Sequence, residues 1–224
     1  VTTVNRNSHA SYYPGATPLT LKLIFNKEGD ILGAQAIGYK GVDKRIDIIA
    51  TAIKGNLKVW DLQEVEVAYA PPYNSAKDPV NIAGYAAENM INGEHESFRY
   101  FEIEELLKDS NYQLLDIRTN SEFNLGTIKD SLHIDLDTLR DNLDKLDKNK
   151  TYLVFCQVGL RGYLAYRILV QNGFKAKNLD GGYKLWYYTQ LKQDNKDIFD
   201  EENFKHKDTQ CCENVQELID EERE

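Results

Sequence analysis

The sequence predicts two domains in tandem, an α+β domain followed by an α/β domain whose parallel sheet is flanked by helices. In residues 1–93 strand patterns come first and helical patterns follow, which is typical of an α+β domain. In residues 98–190 apolar strands alternate with helices, which favours a parallel sheet. The polar stretch 94–97 separates the two patterns, and 224 residues are enough for two modest domains.

The elements of the first block follow from periodicity and from proline. Leu19 to Leu23 alternates apolar and polar residues as a half-buried strand does, and Ile31 to Ile37 supplies the second strand of a hairpin. Apolar residues from Ile46 to Ile53 recur at helical spacing, and a second helix is predicted from Val80 to Met90. The two prolines within Tyr69 to Tyr73 exclude a helix interior there.

The second block is predicted to alternate strands and helices. Thr119 and Glu122 have the spacing of a capping box, which marks the start of a short helix. The predicted elements are helix 102–107, strand 113–117, the short helix after Thr119, strand 132–134, a helical stripe over 136–146, strand 152–155 and helix 162–172, closed by Gly173.

Composition excludes several classes of protein. Hydrophobic residues make up 42% and charged residues 28% of the chain, as in an ordinary globular protein, and the apolar runs are too short to span a membrane. The net charge of −9 argues against general binding to nucleic acid. The chain begins abruptly and without methionine, so we expect it to be a piece of a longer polypeptide.

Cysteine usage predicts a reducing cytoplasm. The chain has three cysteines, and Cys211 and Cys212 are adjacent, so no disulfide framework is possible. These two belong to an acidic tail, residues 191–224, which is expected to be solvated or to act as a linker. They are interpreted as free thiols rather than a redox pair or metal ligands, because no histidine–cysteine spacing predicts a metal site.

The strongest motif is the segment between strand 152–155 and the following helix. It places Cys156 at the carboxyl end of a buried strand, ahead of a helix N-terminus whose amides and dipole favour anions. Gly159 allows the loop to curl, and Arg161 adds a positive charge. Together these features favour the thiolate of Cys156 or an anionic persulfide. The alternative is that Cys156 is simply a small buried hydrophobic residue.

Several motifs in residues 98–190 resemble the rhodanese family. Leu114 to Arg118, followed by Glu122–Phe123 and Gly126 to Ile128, resembles its first signature, the Cys156 loop resembles its active-site loop, and Leu179 to Gly182 followed by Trp186 resembles its closing signature. The resemblance implies that Cys156 is the nucleophile that carries sulfane sulfur and that Arg161 and the loop amides bind the donor. The remaining loop residues are Gln157, Val158, Gly159, Leu160 and Gly162.

The same resemblance makes Asp116 and Arg118 structural or rim residues. Thr127 departs from the pattern, because many relatives have histidine there. Four residues separate Cys156 from Arg161, one fewer than in the related phosphatases, so sulfur transfer is favoured over phosphatase activity. Because Arg161 is the charged residue of the loop, a persulfide of a small thiol is expected as donor rather than thiosulfate.

Residues 1–93 resemble the dimerisation domain of the FAD-dependent pyridine nucleotide-disulfide reductases, in particular the coenzyme A-disulfide reductases. The resemblance rests on Ser11 to Ala16, Ile31 to Gln35, Lys44 to Asp47, and Tyr69 to Tyr73 followed by Lys77 to Pro79. It implies a homodimer formed through this domain. Tyr12 and Tyr69 match tyrosines that approach the partner's redox cysteine and bound coenzyme A, although both could simply pack at the interface.

The chain has no glycine-rich dinucleotide motif and no second cysteine placed to face a flavin. It is therefore not expected to bind a cofactor alone, whereas FAD, NAD(P)H and coenzyme A are expected for the full-length protein. The expected function is sulfur transfer from small-molecule donors to thiol acceptors through Cys156. The alternative is a non-catalytic module that only dimerises and binds a partner.

Overall fold

The computed structural model describes residues 1–191, and its first region is built on a three-stranded antiparallel sheet. The strands, in the sheet order β1-β2-β3, are β1 (Thr2–Asn7), β2 (Pro18–Phe25) and β3 (Ile31–Gly38). The central strand points Leu19, Leu21 and Leu23 into the core, where each is almost completely buried. Three helices complete the region, α1 (Val42–Lys54), α2 (Asp61–Glu64) and α3 (Pro79–Ile91).

The start of α3 is fixed by its own sequence and by a buried ion pair. Asp78 caps the helix by accepting a hydrogen bond from the Val80 amide, and Pro79 occupies the first helical position. The same carboxylate lies 2.9 Å from the guanidinium of Arg45, and both side chains are 1% exposed. This pair ties the proline-rich segment before α3 to helix α1.

The second region is a five-stranded parallel sheet with the strand order β4-β8-β7-β5-β6. Its elements in chain order are β4 (Ser97–Phe98), α4 (Ile103–Leu106), β5 (Tyr112–Asp116), α5 (Asn120–Asn124), β6 (Leu132–His133), β7 (Thr151–Phe155), α6 (Leu160–Gln171), β8 (Lys175–Leu179) and α7 (Gly182–Gln190).

Both faces of this sheet are covered, as the sequence predicts. In β7, Leu153 and Phe155 belong to one apolar cluster, whereas Val154 belongs to the other, together with Cys156, which directly follows the strand. Helix α6 packs into the cluster of Val154, whereas residues of α7 pack against the cluster of Phe155. Burial on both faces explains why β7 reads as a continuous apolar run rather than an alternating one.

Strands β1, β4 and β8 and helices α2 and α7 were not predicted from the sequence, and one predicted helical stretch differs in its helix type. Strands β1 and β8 are mostly polar and helix α7 is rich in aromatic residues, so their patterns did not indicate an element. The stripe from Leu136 to Leu146 is a 3-10 helix over Leu136–Lys145 rather than an α-helix. Its four aspartate and asparagine residues at 137, 141, 142 and 144 are poor α-helix formers, which accounts for the difference.

The described part of the chain shows no helix with the length and apolar character needed to cross a membrane.

Candidate active site at the end of strand β7

Cys156 lies directly after β7 and is completely buried. The backbone amide of Gly159 donates a hydrogen bond to its Sγ atom over 3.1 Å. Gly159 adopts a φ of 112°, a conformation that side chains rarely allow, and this turns the amide back toward the sulfur just before α6 begins. The loop therefore offers a main-chain donor to a sulfur anion at the positive end of a helix.

The loop rests on the first turn of α7. The amides of Tyr183 and Lys184 donate to the carbonyls of Cys156 and Gln157 over 2.8 and 3.0 Å. Gly182 lies so close beneath them that an added Cβ would stand 2.7 Å from the Cys156 carbonyl oxygen and the Val158 nitrogen. Gly182 of the closing sequence signature is thus required by a close approach to the loop backbone.

A third support is a buried amide side chain. Asn178, on β8, donates from Nδ2 to the Gly159 carbonyl over 3.1 Å and lies 3.2 Å from His95 Nε2. An added Cβ at Gly162 would lie 2.1 Å from Asn178 Oδ1, so this glycine allows α6 to approach β8. Burial lowers the pKa of His95 to about 4, which keeps the imidazole neutral and able to accept from Asn178. Sequence reasoning missed Asn178 and His95, because neither belongs to a recognisable motif.

The guanidinium of Arg161 is engaged by a carboxylate of α5. Its Nη1 and Nη2 atoms donate to Glu122 Oε2 and Oε1 over 2.8 and 2.6 Å. Glu122 also accepts from the Thr119 amide and so completes the predicted capping box. These hydrogen bonds, that of Arg161 first, hold the pKa of Glu122 at about 2, and Glu122 in turn raises the pKa of Arg161. The sequence did not indicate this pairing.

A second arginine supports the loop from below. Arg118 forms a buried ion pair with Asp116 at 2.6 Å, and its Nη1 reaches Gln157 Oε1 over 3.3 Å. Its guanidinium lies 3.9 Å from the centre of the Tyr183 ring. Thr127, the departure noted in the sequence, donates its hydroxyl to Asp116 over 2.8 Å and so helps to satisfy the buried carboxylate.

The first region touches this loop through β1. The amide and hydroxyl of Thr3 both donate to the Asp180 carboxylate over 2.7 Å, and Asn5 Nδ2 lies 3.5 Å from the Val158 carbonyl. A cavity of about 300 Å³ lies between the two regions and is lined by residues of β1, α3, the Cys156 loop and β8. The amino-terminal strand β1 therefore lies beside the Cys156 loop, which is called the sulfur loop below.

Tyr12 and Tyr69 come together although 57 positions separate them. Their hydroxyl oxygens are 3.2 Å apart, and the side chains are exposed, at 74% and 51%. The hydrogen bond with Tyr69 raises the pKa of Tyr12. Within the described residues, no hydrogen bond joins this pair to the Cys156 loop.

Residues 1–191 hold no cluster of three or more histidine, cysteine or acidic side chains arranged for a metal ion. Cys211 and Cys212 lie outside the described residues.

Family models match both regions of the chain. Residues 101–189 match the rhodanese-like domain, and residues 1–79 match the pyridine nucleotide-disulphide oxidoreductase dimerisation domain. The chain therefore contains a dimerisation domain of the pyridine nucleotide-disulphide oxidoreductases followed by a rhodanese-like domain. Both resemblances found in the sequence are confirmed.

More particularly, the chain is similar to coenzyme A-disulfide reductases. It is 48% identical over 86 residues to coenzyme A disulfide reductase of Staphylococcus epidermidis, an alignment that covers 38% of this chain and 20% of the relative. The reduced CoADR-RHD of Bacillus anthracis matches 83% of this chain and 33% of its own, with 51% identity and a TM-score of 0.80. An NAD-dependent persulfide reductase from A. fulgidus matches the same shares at 36% identity and a TM-score of 0.74.

The chain spans about one fifth of the length of the curated relatives it matches and about one third of these two solved structures.

Proposed function

We propose that this chain is a sulfurtransferase in which Cys156 carries sulfane sulfur as a persulfide. The observation that carries the proposal is the hydrogen bond from the Gly159 amide to Cys156 Sγ. The loop that makes this bond packs so closely against Gly182 that no side chain fits there. An amide aimed at sulfur stabilises an anion there, both as thiolate and as persulfide. A cysteine that only filled space would need neither the donor nor the strained glycine.

The transfer consists of two displacements at sulfur. The Cys156 thiolate attacks the outer sulfur of a donor R–S–SH, a new S–S bond forms, and the donor's S–S bond breaks as R–S⁻ leaves with the electron pair. An acceptor thiolate then attacks the outer sulfur of the Cys156 persulfide, which restores the Cys156 thiolate. Because Cys156 is fully buried, the side chains around the loop must move before a donor reaches it.

Mass spectrometry of the intact chain tests the proposal. After treatment with a small-thiol persulfide, the chain should gain about 32 Da, one sulfur atom, on the peptide that contains Cys156. The Cys156→Ser variant should gain nothing at that peptide, and a thiol acceptor should remove the added sulfur. Absence of the gain on a folded chain would contradict the proposal and would favour a non-catalytic module.

We further propose that the full-length protein is a flavin-dependent reductase of coenzyme A disulfide or persulfide. The similarity to coenzyme A disulfide reductases and to a persulfide reductase supports this. FAD and NAD(P)H would bind to parts of the protein beyond this chain. The described residues do not fit a dinucleotide, because the turn between β7 and α6 holds the Cys156 loop instead of a glycine-rich phosphate loop. A reactive thiol of this kind suits a reducing compartment such as the cytoplasm.

In this proposal residues 1–93 form a homodimer, residues 98–190 carry the sulfur site, and residues 191–224 form the acidic tail. Tyr12 and Tyr69 would face the coenzyme A and redox site of the partner subunit. Their exposure and their paired hydroxyls support such a role, since a phenol can donate a hydrogen bond to a sulfur leaving group.

The full-length enzyme separates the two roles. Cys156→Ser should keep flavin reduction by NAD(P)H but lose the coupling between sulfur transfer and reduction. Tyr12→Phe together with Tyr69→Phe should leave sulfur loading of Cys156 intact and slow disulfide reduction. If the double variant reduces disulfides at the normal rate, the tyrosines only pack at the interface. Analytical ultracentrifugation tests the dimer, and a monomer at all concentrations would count against it.

A further inference from the structure

Arg161 and Glu122 form a bidentate ion pair beside the Cys156 loop. Two nearly parallel hydrogen bonds of 2.6 and 2.8 Å occupy both terminal nitrogens of the guanidinium. The side chains are 34% and 28% exposed, so the pair lies at the rim of the site and is partly shielded from water. A bidentate pair of this kind is a strong one and holds both side chains in place.

The two arginines that contact the loop region are already paired with carboxylates. The other loop side chains, Gln157, Val158, Gly159 and Leu160, carry no charge. Arg161 faces Glu122, and the groups that further raise its pKa are Cys156 and Asp135, both anions when ionised. Arg118, below the loop, is paired with Asp116. Each arginine that contacts the loop region therefore has a carboxylate partner before any donor arrives.

We propose that Glu122 is a specificity-determining residue that selects against dianionic sulfur donors and favours organic persulfides. The inference rests on the proposed sulfurtransferase function of Cys156. A donor with two negative charges at its reacting end, such as thiosulfate, must approach an anionic sulfur while the guanidinium of Arg161 stays bound to Glu122. A persulfide brings at most one negative charge there, so its binding depends less on stabilisation by the Arg161 guanidinium.

The two donors differ in what leaves. With thiosulfate, the Cys156 thiolate attacks the sulfane sulfur, the S–S bond breaks, and sulfite departs with the electron pair. With a persulfide R–S–SH, the same attack releases the thiolate R–S⁻. Both reactions deposit one sulfur on Cys156, but the first concentrates two negative charges on the leaving group, beside Glu122. Removal of the Glu122 charge should therefore help the first reaction selectively.

The test compares kcat/KM for thiosulfate and for glutathione persulfide, with cyanide as the acceptor and thiocyanate as the product measured. Glu122→Gln removes the charge but keeps a side-chain oxygen that can accept the hydrogen bond from the Thr119 amide. Glu122→Asp keeps the charge on a shorter side chain and so separates charge from geometry. Glu105→Gln is the matched control, because Glu105 is a surface residue paired with Lys108.

For Glu122→Gln, the ratio of thiosulfate to persulfide efficiency should rise by about tenfold, the scale of one charge interaction at a partly shielded site. The rise should shrink at high ionic strength. Glu122→Asp and Glu105→Gln should keep the wild-type ratio. The inference is overturned if the Glu122→Gln ratio stays the same or falls, or if the Glu105→Gln ratio rises equally.

The ratio also distinguishes this inference from the function beneath it. If the wild-type chain accepts sulfur from neither donor, the sulfurtransferase function itself fails, and the inference fails with it. If the wild-type chain loads from both donors and the ratio does not respond to Glu122, only the inference fails. A circular dichroism melt of each variant shows whether it is folded. If Glu122→Gln is misfolded, the ratio of thiosulfate to persulfide efficiency in Glu122→Asp decides. A rise of that ratio in Glu122→Asp, which keeps the charge, would contradict the inference.

Discussion

Each region of the molecule holds a buried arginine–aspartate pair, and the two pairs serve different ends. Arg45 donates hydrogen bonds to Asp78 and to the Gly41 and Ser8 carbonyls. All three partners belong to the first region, so this arginine serves its fold. Arg118 is bound by Asp116 but also reaches Gln157 of the sulfur loop. The same kind of buried pair therefore stabilises the fold in one region and also supports the Cys156 loop in the other.

Removal of either arginine should give the largest effect. Arg45→Met and Arg118→Met each leave a carboxylate buried without its partner, which costs about 3–5 kcal/mol of unfolding free energy. Urea unfolding measures the loss. Arg118→Met should also lower sulfur loading of Cys156 in the protein that remains folded, whereas Arg45→Met should not.

If Arg45→Met impairs sulfur loading as much as Arg118→Met does, the two pairs do not differ in their role at the Cys156 loop. A paired replacement, Arg45→Met with Asp78→Leu, should recover much of the lost stability, because it removes the buried charge that the single change leaves behind.

Gly182→Ala tests whether the Cys156 loop depends on its close contact with the start of α7. The new Cβ would lie 2.7 Å from loop backbone atoms, at a residue whose φ is 64°. We expect a loss of about 2–4 kcal/mol and a large drop in persulfide formation, since the contact and the backbone strain add.

Gly173→Ala is its control. Gly173 has a similar φ of 80° but nothing within 4 Å of an added Cβ, so it shares the strain without the contact. Its cost should be about 1 kcal/mol, with normal sulfur loading. Equal losses in the two variants would show that the close approach under the loop is unimportant.

The buried imidazole of His95 predicts that stability depends on pH. The pKa of His95 is about 4 in the folded chain against 6.5 when unperturbed, so between these values the unfolded chain binds more protons. Its contribution to stability is therefore complete above pH 6.5 and falls as the pH drops toward 4, by up to about 3 kcal/mol.

Thermal melts between pH 7 and pH 4 should show a smaller decline for His95→Gln than for the wild-type chain. An identical decline in both proteins would mean that the burial of this imidazole does not affect stability.

Apart from the Gly173→Ala control, the smallest effect is expected where the two regions meet. Thr3→Val removes the hydroxyl that donates to Asp180 but keeps the shape and the backbone amide bond, and it should cost about 1–2 kcal/mol. Thr3→Ser restores the hydroxyl and should recover most of this stability in a urea titration. If valine costs nothing, the strand β1 contact does not stabilise the second region.

The sequence predicted the parts of the structure that depend on local patterns. The capping box at Thr119 and the turn at Gly159 were found because each is determined by neighbouring residues. The pairing of Arg161 with Glu122 spans 39 positions, and the contact of Thr3 with Asp180 spans 177. Such contacts arise from the packing of the sheets, and no spacing rule indicates them.

The contact between β1 and the sulfur loop has a practical consequence for anyone who excises the second region. A fragment that starts at residue 98 lacks Thr3 and Asn5, so the Asp180 carboxylate and the Val158 carbonyl would turn to solvent. The cavity of about 300 Å³ would lose one of its walls and open to bulk water. Reactivity measured on such a fragment would describe a wetter and looser thiol than the one in the intact chain.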